Sequence, residues 1–237
     1  MIVTIDPGHG GSDTGAAGVD PRSGRKIFEK DLNLLLAFAL RDQLESRCRA
    51  VFLTRDGDYD LSLLERVRVA DRGRALTLIS IHHNGAASPK ARGFELLIDK
   101  DAASSFSSTS PPRRTPPEQI NSDRYYNSNG LNRNQLRLAE SILPGVAPVL
   151  ERWGIPLRNP AIKNDENDSA RGHLTLLEEA TVPAVIVETC FVTNPLELLA
   201  ATSSAFRVQF AEALAEALTT WAENLGIDKA KPSRKQP

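Results

Sequence analysis

The chain has 237 residues, 41% of them hydrophobic and 25% charged, with a net charge of −1 and a pI near 6.4. That balance fits a soluble domain large enough to bury about three quarters of its unfolded surface, and its charge advertises no nucleic-acid or anionic-membrane partner. Two cysteines, Cys48 and Cys190, form no CxxC pair, so a thiolate metal site or redox motif is excluded and two free thiols are expected.

The first element is the β-branched run "IVTI" (2–5), which ends at Asp6 and opens into "PGHGG". No charged-then-apolar leader precedes Asp6, so no signal peptide is expected in this chain, and no apolar run is long enough for a membrane span. "EKDLNLLLAFALRDQLES" (29–46) follows, with Leu32, Leu35, Leu36, Ala39 and Leu40 at helical steps of three and four. Glu29 and Asp31 stand at its start, where carboxylates suit the helix dipole. "AVFLT" (50–54) reads as the next strand, "LSLLERVRVADRGRA" (61–75) as a second amphipathic helix, and "LTLISI" (76–81) and "GFELLI" (93–98) as further strands. Helices are expected over 131–151 and 203–225, with short helical turns near 174–180 and 195–200, and "AVIVE" (184–188) is the fifth strand identified. The alternation predicts a single α/β domain over 1–227: a mostly parallel twisted sheet of about six strands with helices on both faces. Residues 100–134 are rich in Ser, Pro and Asn and read as a flexible insertion, and 228–237 as a disordered basic tail.

Only four histidines are present: His9, His82, His83 and His173. Three lie at or just beyond the C-terminal ends of predicted strands, where ligand sites of open α/β sheets gather. Glu29 begins a helix near the same rim, and Glu188 ends a strand there. Two imidazoles and a carboxylate satisfy a catalytic zinc with an open position, and a second carboxylate beside it can serve as general base. The glycines at 8, 10 and 11 then clear space for backbone to pass close to metal and substrate. The competing reading is a phosphate cradle at a helix N-terminus, but no GxGxxG or Walker lysine pattern follows. Strand alternation lets only one of His82 and His83 reach the metal. Taken alone, Glu29 is an ordinary N-terminal helix acid and His173 a surface or substrate-groove residue, whereas Glu188 ends an apolar run, where a carboxylate is costly unless it is ion-paired or functional.

Five ordered segments, "IDPGHGGSDTGAAG", "EKDLNLLLA", "TRDGDYDLSLLERVRVA", "SIHHN" and "VPAVIVETCFVTNPLE", resemble the zinc-dependent N-acetylmuramoyl-L-alanine amidases of bacterial cell-wall turnover. The resemblance runs from residue 2 to about 225, with 100–130 as its main gap. It implies one Zn2+ per chain held by His9, Glu29 and His82, with Glu188 as the catalytic glutamate. Asn84 would bond locally, and His83 stands where the family has a small residue. The implied substrate is peptidoglycan or its muropeptide fragments, and the implied location is periplasmic or extracellular. A protein activator, a monomeric state and no nucleic-acid partner complete the expectations. Thr189 and Cys190 depart from the family's bulkier apolar residue and glycine, and Asp71 stands where asparagine is common. Some members carry a blocking helix where 100–130 lies; prolines 111, 112, 116 and 117 predict a flap without self-inhibition, with a short helix over 118–126 at most. Two rivals remain open here: another zinc hydrolase such as a carboxypeptidase, and a wall-binding module without chemistry.

Overall fold

Strand β1 (Ile2–Pro7) is buried from Val3 onward because it lies inside a sheet. A computed structural model describes residues 1–99, 128–164 and 173–227. β1 pairs in parallel with β4 (Ala50–Leu53) on one side and β5 (Thr77–Asn84) on the other. β5 pairs in parallel with β8 (Ala184–Phe191), and β8 pairs antiparallel with β6 (Phe94–Ile98). β6 in turn runs parallel to β7 (Leu157–Asn164) at the far edge, giving six strands in the order β4-β1-β5-β8-β6-β7. A separate two-stranded hairpin joins β2 (Ala17–Val19) and β3 (Lys26–Phe28).

The helices sort by sheet face. α1 (Glu29–Leu44) turns Leu32, Leu36, Ala37, Leu40 and Leu44 inward, a three-to-four spacing that lays one stripe on the sheet. α3 (Ser128–Arg152) and α6 (Ser204–Asn224) join it over Val3, Ile5, Ile79, Ile81, Phe94, Leu96, Val185 and Val187. Each large side chain fully buried in this layer contributes about 1.5–3 kcal/mol of transfer free energy. The opposite face, with Leu78, Leu97, Ala184 and Ile186, receives α2 (Leu63–Gly73) and the short α4 (His173–Glu179), through Val67, Ala70, Leu176 and Leu177. α2 begins with a capping box in which Ser62 and Glu65 exchange side-chain and backbone bonds. α5 (Pro195–Ala201) is capped by Asn194 and leads into α6.

Most of the predicted elements form within a residue or two of their expected bounds. β7 and the β2–β3 hairpin are not among the five strands read from sequence. "LRNPAIKN" carries a proline and no apolar alternation, as an edge strand permits. The hairpin strands are three residues each, too short for periodicity to show. The insertion expected over 100–134 is shorter than drawn, because 128–134 form the first turns of α3. Its remainder, the short helix weighed over 118–126, and the tail 228–237 lie outside the described residues. Cys48 is half-buried and Cys190 buried, and both are free thiols.

Candidate active site

The C-terminal ends of β1, β5 and β8 lie side by side at the middle of the sheet. β1 delivers the chain into the glycine-rich loop that carries His9, β5 ends with His82, His83 and Asn84, and β8 carries Glu188 directly opposite His82 in register. Glu29 is the first residue of α1, whose N-terminus meets the same rim.

Three of these side chains converge. Glu29 Oε1 lies 3.1 Å from His9 Nε2 and 3.0 Å from His82 Nδ1, and all three ligand atoms fall within 4.8 Å of one another. The two rings meet edge to face with centroids 4.8 Å apart. Glu29 and His82 are buried. Burial opposes ionisation of Glu29, but the hydrogen bonds and charge of His82 and His9 outweigh it and hold the carboxyl well below its ordinary value. Burial likewise pulls the His9 imidazolium down, yet Glu29 and Asp13 together raise its pKa.

The surroundings fix each of the three. Asp13 Oδ2 lies 2.8 Å from His9 Nδ1, so Nδ1–H donates to the carboxylate and the Nε2 lone pair faces the cluster. Glu29 Oε2 accepts from the Ala16 amide at 2.8 Å, and Oε1 from the His83 amide at 3.1 Å. A Cβ at Gly8 would sit 2.0 Å from His82 Nε2, and one at Gly15 2.6 Å from both Glu29 Oε2 and His9 Cδ2. Gly8 therefore has the steric role expected of it. Gly10 and Gly11 do not: they make room for Tyr59 and Asp60 of the following loop, and Gly15 takes the place assigned to them.

A metal fits this donor set. Two imidazole nitrogens and one carboxylate oxygen are zinc's usual ligands, and bonds of about 2.0–2.1 Å in tetrahedral array need donor atoms about 3.3 Å apart. Glu29 Oε1 lies 3.1 and 3.0 Å from the two imidazole nitrogens, near that spacing, and all three donors fall within 4.8 Å of one another.

Glu188 is buried beside the cluster, its Cα registered with His82 on one side and Glu95 on the other. It lines a cavity of about 570 Å³ together with His9, Gly15, Glu29 and Asn84. A smaller cavity of about 240 Å³, with Leu61, Leu63, Leu176 and Ile186 in its wall, shares His9 and Asp13 with it and reaches His82. Asn84 bonds locally as expected: its Nδ2 donates to Glu95 Oε1 at 2.7 Å, and its Oδ1 accepts from the Gly85 amide. His83 turns to the opposite face, where its Nδ1 donates to Asn33 Oδ1 at 2.7 Å. Burial lowers its pKa to about 4, leaving a neutral ring. His173 begins α4, so its backbone lies in a helix rather than a loop.

Several residues of the site went unnoticed in the sequence. Asp6, fully buried, accepts from Thr54, Ser80 and Arg66, at 2.5, 2.7 and 2.7 Å. Glu95 forms ion pairs with Arg158 at 2.6 Å and Lys163 at 2.5 Å. A carboxylate inside the apolar run "GFELLI" was the available signal for Glu95, as it was for Glu188.

Residues 3–220 match the family described as N-acetylmuramoyl-L-alanine amidase. The chain is 30% identical to the amidase AmiA of Escherichia coli over 235 residues, covering 93% of this chain and 75% of AmiA. It is 29% identical to AmiC of Escherichia coli over 90% of this chain, but spans only 51% of AmiC. Its fold is similar to that of the catalytic domain of CwlV, an amidase of Bacillus (Paenibacillus) polymyxa var. colistinus, with a TM-score of 0.68 and 24% identity over 96% of this chain and 99% of that one. With the match spanning nearly every element that builds the rim, the chain belongs to the N-acetylmuramoyl-L-alanine amidase family.

Proposed function

We propose that this chain hydrolyses the amide between N-acetylmuramic acid and L-alanine in peptidoglycan, with one zinc ion held by His9, Glu29 and His82 and with Glu188 as general base and acid. The observation that carries this reading is the meeting of donor atoms from β5, the β1 loop and α1, with Glu29 Oε1 3.0 and 3.1 Å from the two imidazole nitrogens and all three within 4.8 Å of one another, and with Glu188 in the neighbouring register position. When bound, the ion polarises the scissile carbonyl and makes a water molecule acidic enough to react near neutral pH. Glu188 takes the proton from the attacking water as the new C–O bond forms. It returns that proton to the alanine nitrogen as the C–N bond breaks, so the products are a muramic carboxylic acid and a free amine. Asp13 keeps the His9 ring in the tautomer that presents Nε2, and the Ala16 and His83 amides keep Glu29 aimed at the same point.

Glu188→Gln tests the assignment. One zinc per chain should be retained while turnover of purified sacculi falls by about 10²–10⁴-fold. Wild-type turnover in that variant would remove Glu188 from the mechanism. Mass spectrometry of the products separates the rival carboxypeptidase, which would release single amino acids instead of intact stem peptides.

The substrate places the activity at the cell wall, outside the cytoplasmic membrane. No described helix is long and apolar enough to cross a membrane. Light scattering that returns the 25.9 kDa chain mass would support a monomer. A solved structure similar in fold is that of the CwlD amidase of Clostridioides difficile in complex with the GerS lipoprotein. For this chain, a protein activator is tested by the rate on sacculi with and without extract of the producing cell.

A further inference from the structure

Among the described residues, only His9 and Arg74 combine a side chain with positive φ, at 59° and 50°. Arg74 caps the C-terminus of α2, where the left-handed conformation is routine. His9 has no such excuse. A side-chain-bearing residue held there is strained and persists only when its surroundings over-determine it.

The surroundings here are two guanidinium groups. Arg55 donates from Nε to the Pro7 carbonyl at 2.9 Å and from Nη2 to the Gly8 carbonyl at 2.9 Å. Arg66 donates from Nη1 to the Pro7 carbonyl at 2.8 Å and from Nη2 to the His9 carbonyl at 2.9 Å. Three consecutive carbonyls are thus gripped from behind the loop. Both arginines are buried, at 1% and 4% exposure, and neither is free to swing. Arg66 Nη1 also bonds Asp6 Oδ1 at 2.7 Å, while Arg55 reaches the Lys30 and Gly57 carbonyls at 2.8 and 2.9 Å. Two buried positive charges behind a cation site oppose cation binding by Coulomb repulsion. Any help they give to the metal comes through geometry. The planar fork of arginine supplies several donors in a fixed array, which a lysine ammonium does not reproduce.

We infer that Arg55 and Arg66 are positioning residues that lock the 7–9 backbone, so that the His9 ring stands at the metal position before an ion arrives. The inference rests on the reading of His9, Glu29 and His82 as zinc ligands. The cost of ordering the loop is met during folding and does not weaken metal binding.

The test is the zinc dissociation constant of the full chain, measured by competition with a chromophoric chelator. It is paired with the visible spectrum of the cobalt-substituted protein, which reports ligand geometry. Arg66→Lys and Arg55→Lys keep the charge and lose the fork. Each should weaken zinc binding about ten- to hundredfold, the usual effect of removing an outer-shell partner, and should alter the cobalt spectrum. Leu218→Ala, in the remote core layer, controls for lost stability: at a comparable drop in Tm it should bind zinc within about twofold of wild type. Either arginine variant decides the question if the other does not fold. Zinc binding and cobalt spectra unchanged in the folded lysine variants would overturn the inference, as would a loss no greater than that of Leu218→Ala. His9→Ala in the same assay separates the two levels. If it binds zinc like wild type, the ligand reading fails; if only it loses zinc, the clamp alone fails.

Discussion

His82 and His83 are adjacent in β5 and both are buried, yet they do opposite work. His82 lies on the sheet face that carries Asp6, Ser80 and Glu188, and its Nδ1 meets Glu29. His83 lies on the face packed by α1, α3 and α6, where Asn33 is its partner and burial keeps it uncharged. One face of the strand ends is apolar almost throughout; the other collects charge at its open end. The same residue type joins the His9–Glu29 donor cluster or becomes a core histidine according to which side of the pleat it stands on. The lesson is that neighbouring histidines in a strand meet different surroundings, one at the open rim and one in the core, and the sheet decides which.

The largest effect should come from breaking the site side. His82→Ala removes one of three donors, and we expect zinc to be lost and turnover of sacculi to fall at least about a thousandfold, since a catalytic zinc needs three protein ligands. Metal analysis after dialysis checks the first part and product release the second. Next comes the charge behind the site. Asp6→Asn leaves the buried Arg66 without its counter-ion and should cost about 3–5 kcal/mol in denaturant unfolding. Burial alone would raise the Asp6 carboxyl, but the Arg66 charge and the Thr54, Arg66 and Ser80 hydrogen bonds hold it below the ordinary 3.8. The folded pKa is therefore the lower one. The stability Asp6 contributes is fully present above pH 3.8 and is lost as pH falls through the folded value. Unfolding free energies followed from pH 5 downward should fall more steeply in wild type than in Asp6→Asn.

Two finer changes sharpen the contrast. Gly8→Ala places a methyl 2.0 Å from the His82 ring, so the ring has to move; zinc should bind about tenfold more weakly by chelator competition, about 1.4 kcal/mol. His83→Leu acts on the other face. It strands the Asn33 oxygen in the core, and a loss of about 1–3 kcal/mol in stability is expected, with zinc still at one per chain. A His83 variant that loses its zinc, beside a His82 variant that keeps it, would reverse the assignment of the two faces.

Much of this was legible before any coordinates. The helical stripe of Leu32, Leu36 and Leu40 and the apolar strand runs each carry a local physical signal, and those elements appear where the signal lies. Glu188 stood out because a carboxylate at the end of an apolar strand is costly unless it is used, whereas Glu29 read alone as a helix N-terminal acid and drew notice only through its place near the same rim. β7 was not legible, because an edge strand with Pro160, Asn159 and Lys163 has no periodicity to read. The role of Arg55 and Arg66 was not legible either: Arg55 sits in the polar stretch "TRDGDYD" and Arg66 on an amphipathic helix, where an arginine reads as a solvated residue, and only the tertiary fold brings the 7–9 carbonyls to them.

By itself, then, the sequence determined the order of elements, the α/β class and the short set of side chains with metal-binding chemistry, because periodicity, capping and donor type are properties of neighbours in the chain. The tertiary structure alone decided which histidine faces Glu29, which glycines clear the rings and what holds His9 in its unfavourable conformation. Apart from Gly15, which clears groups 6 and 14 positions away, those outcomes depend on distances between residues about 20 to 75 positions apart, and no local preference encodes a distance that long-range packing has yet to set.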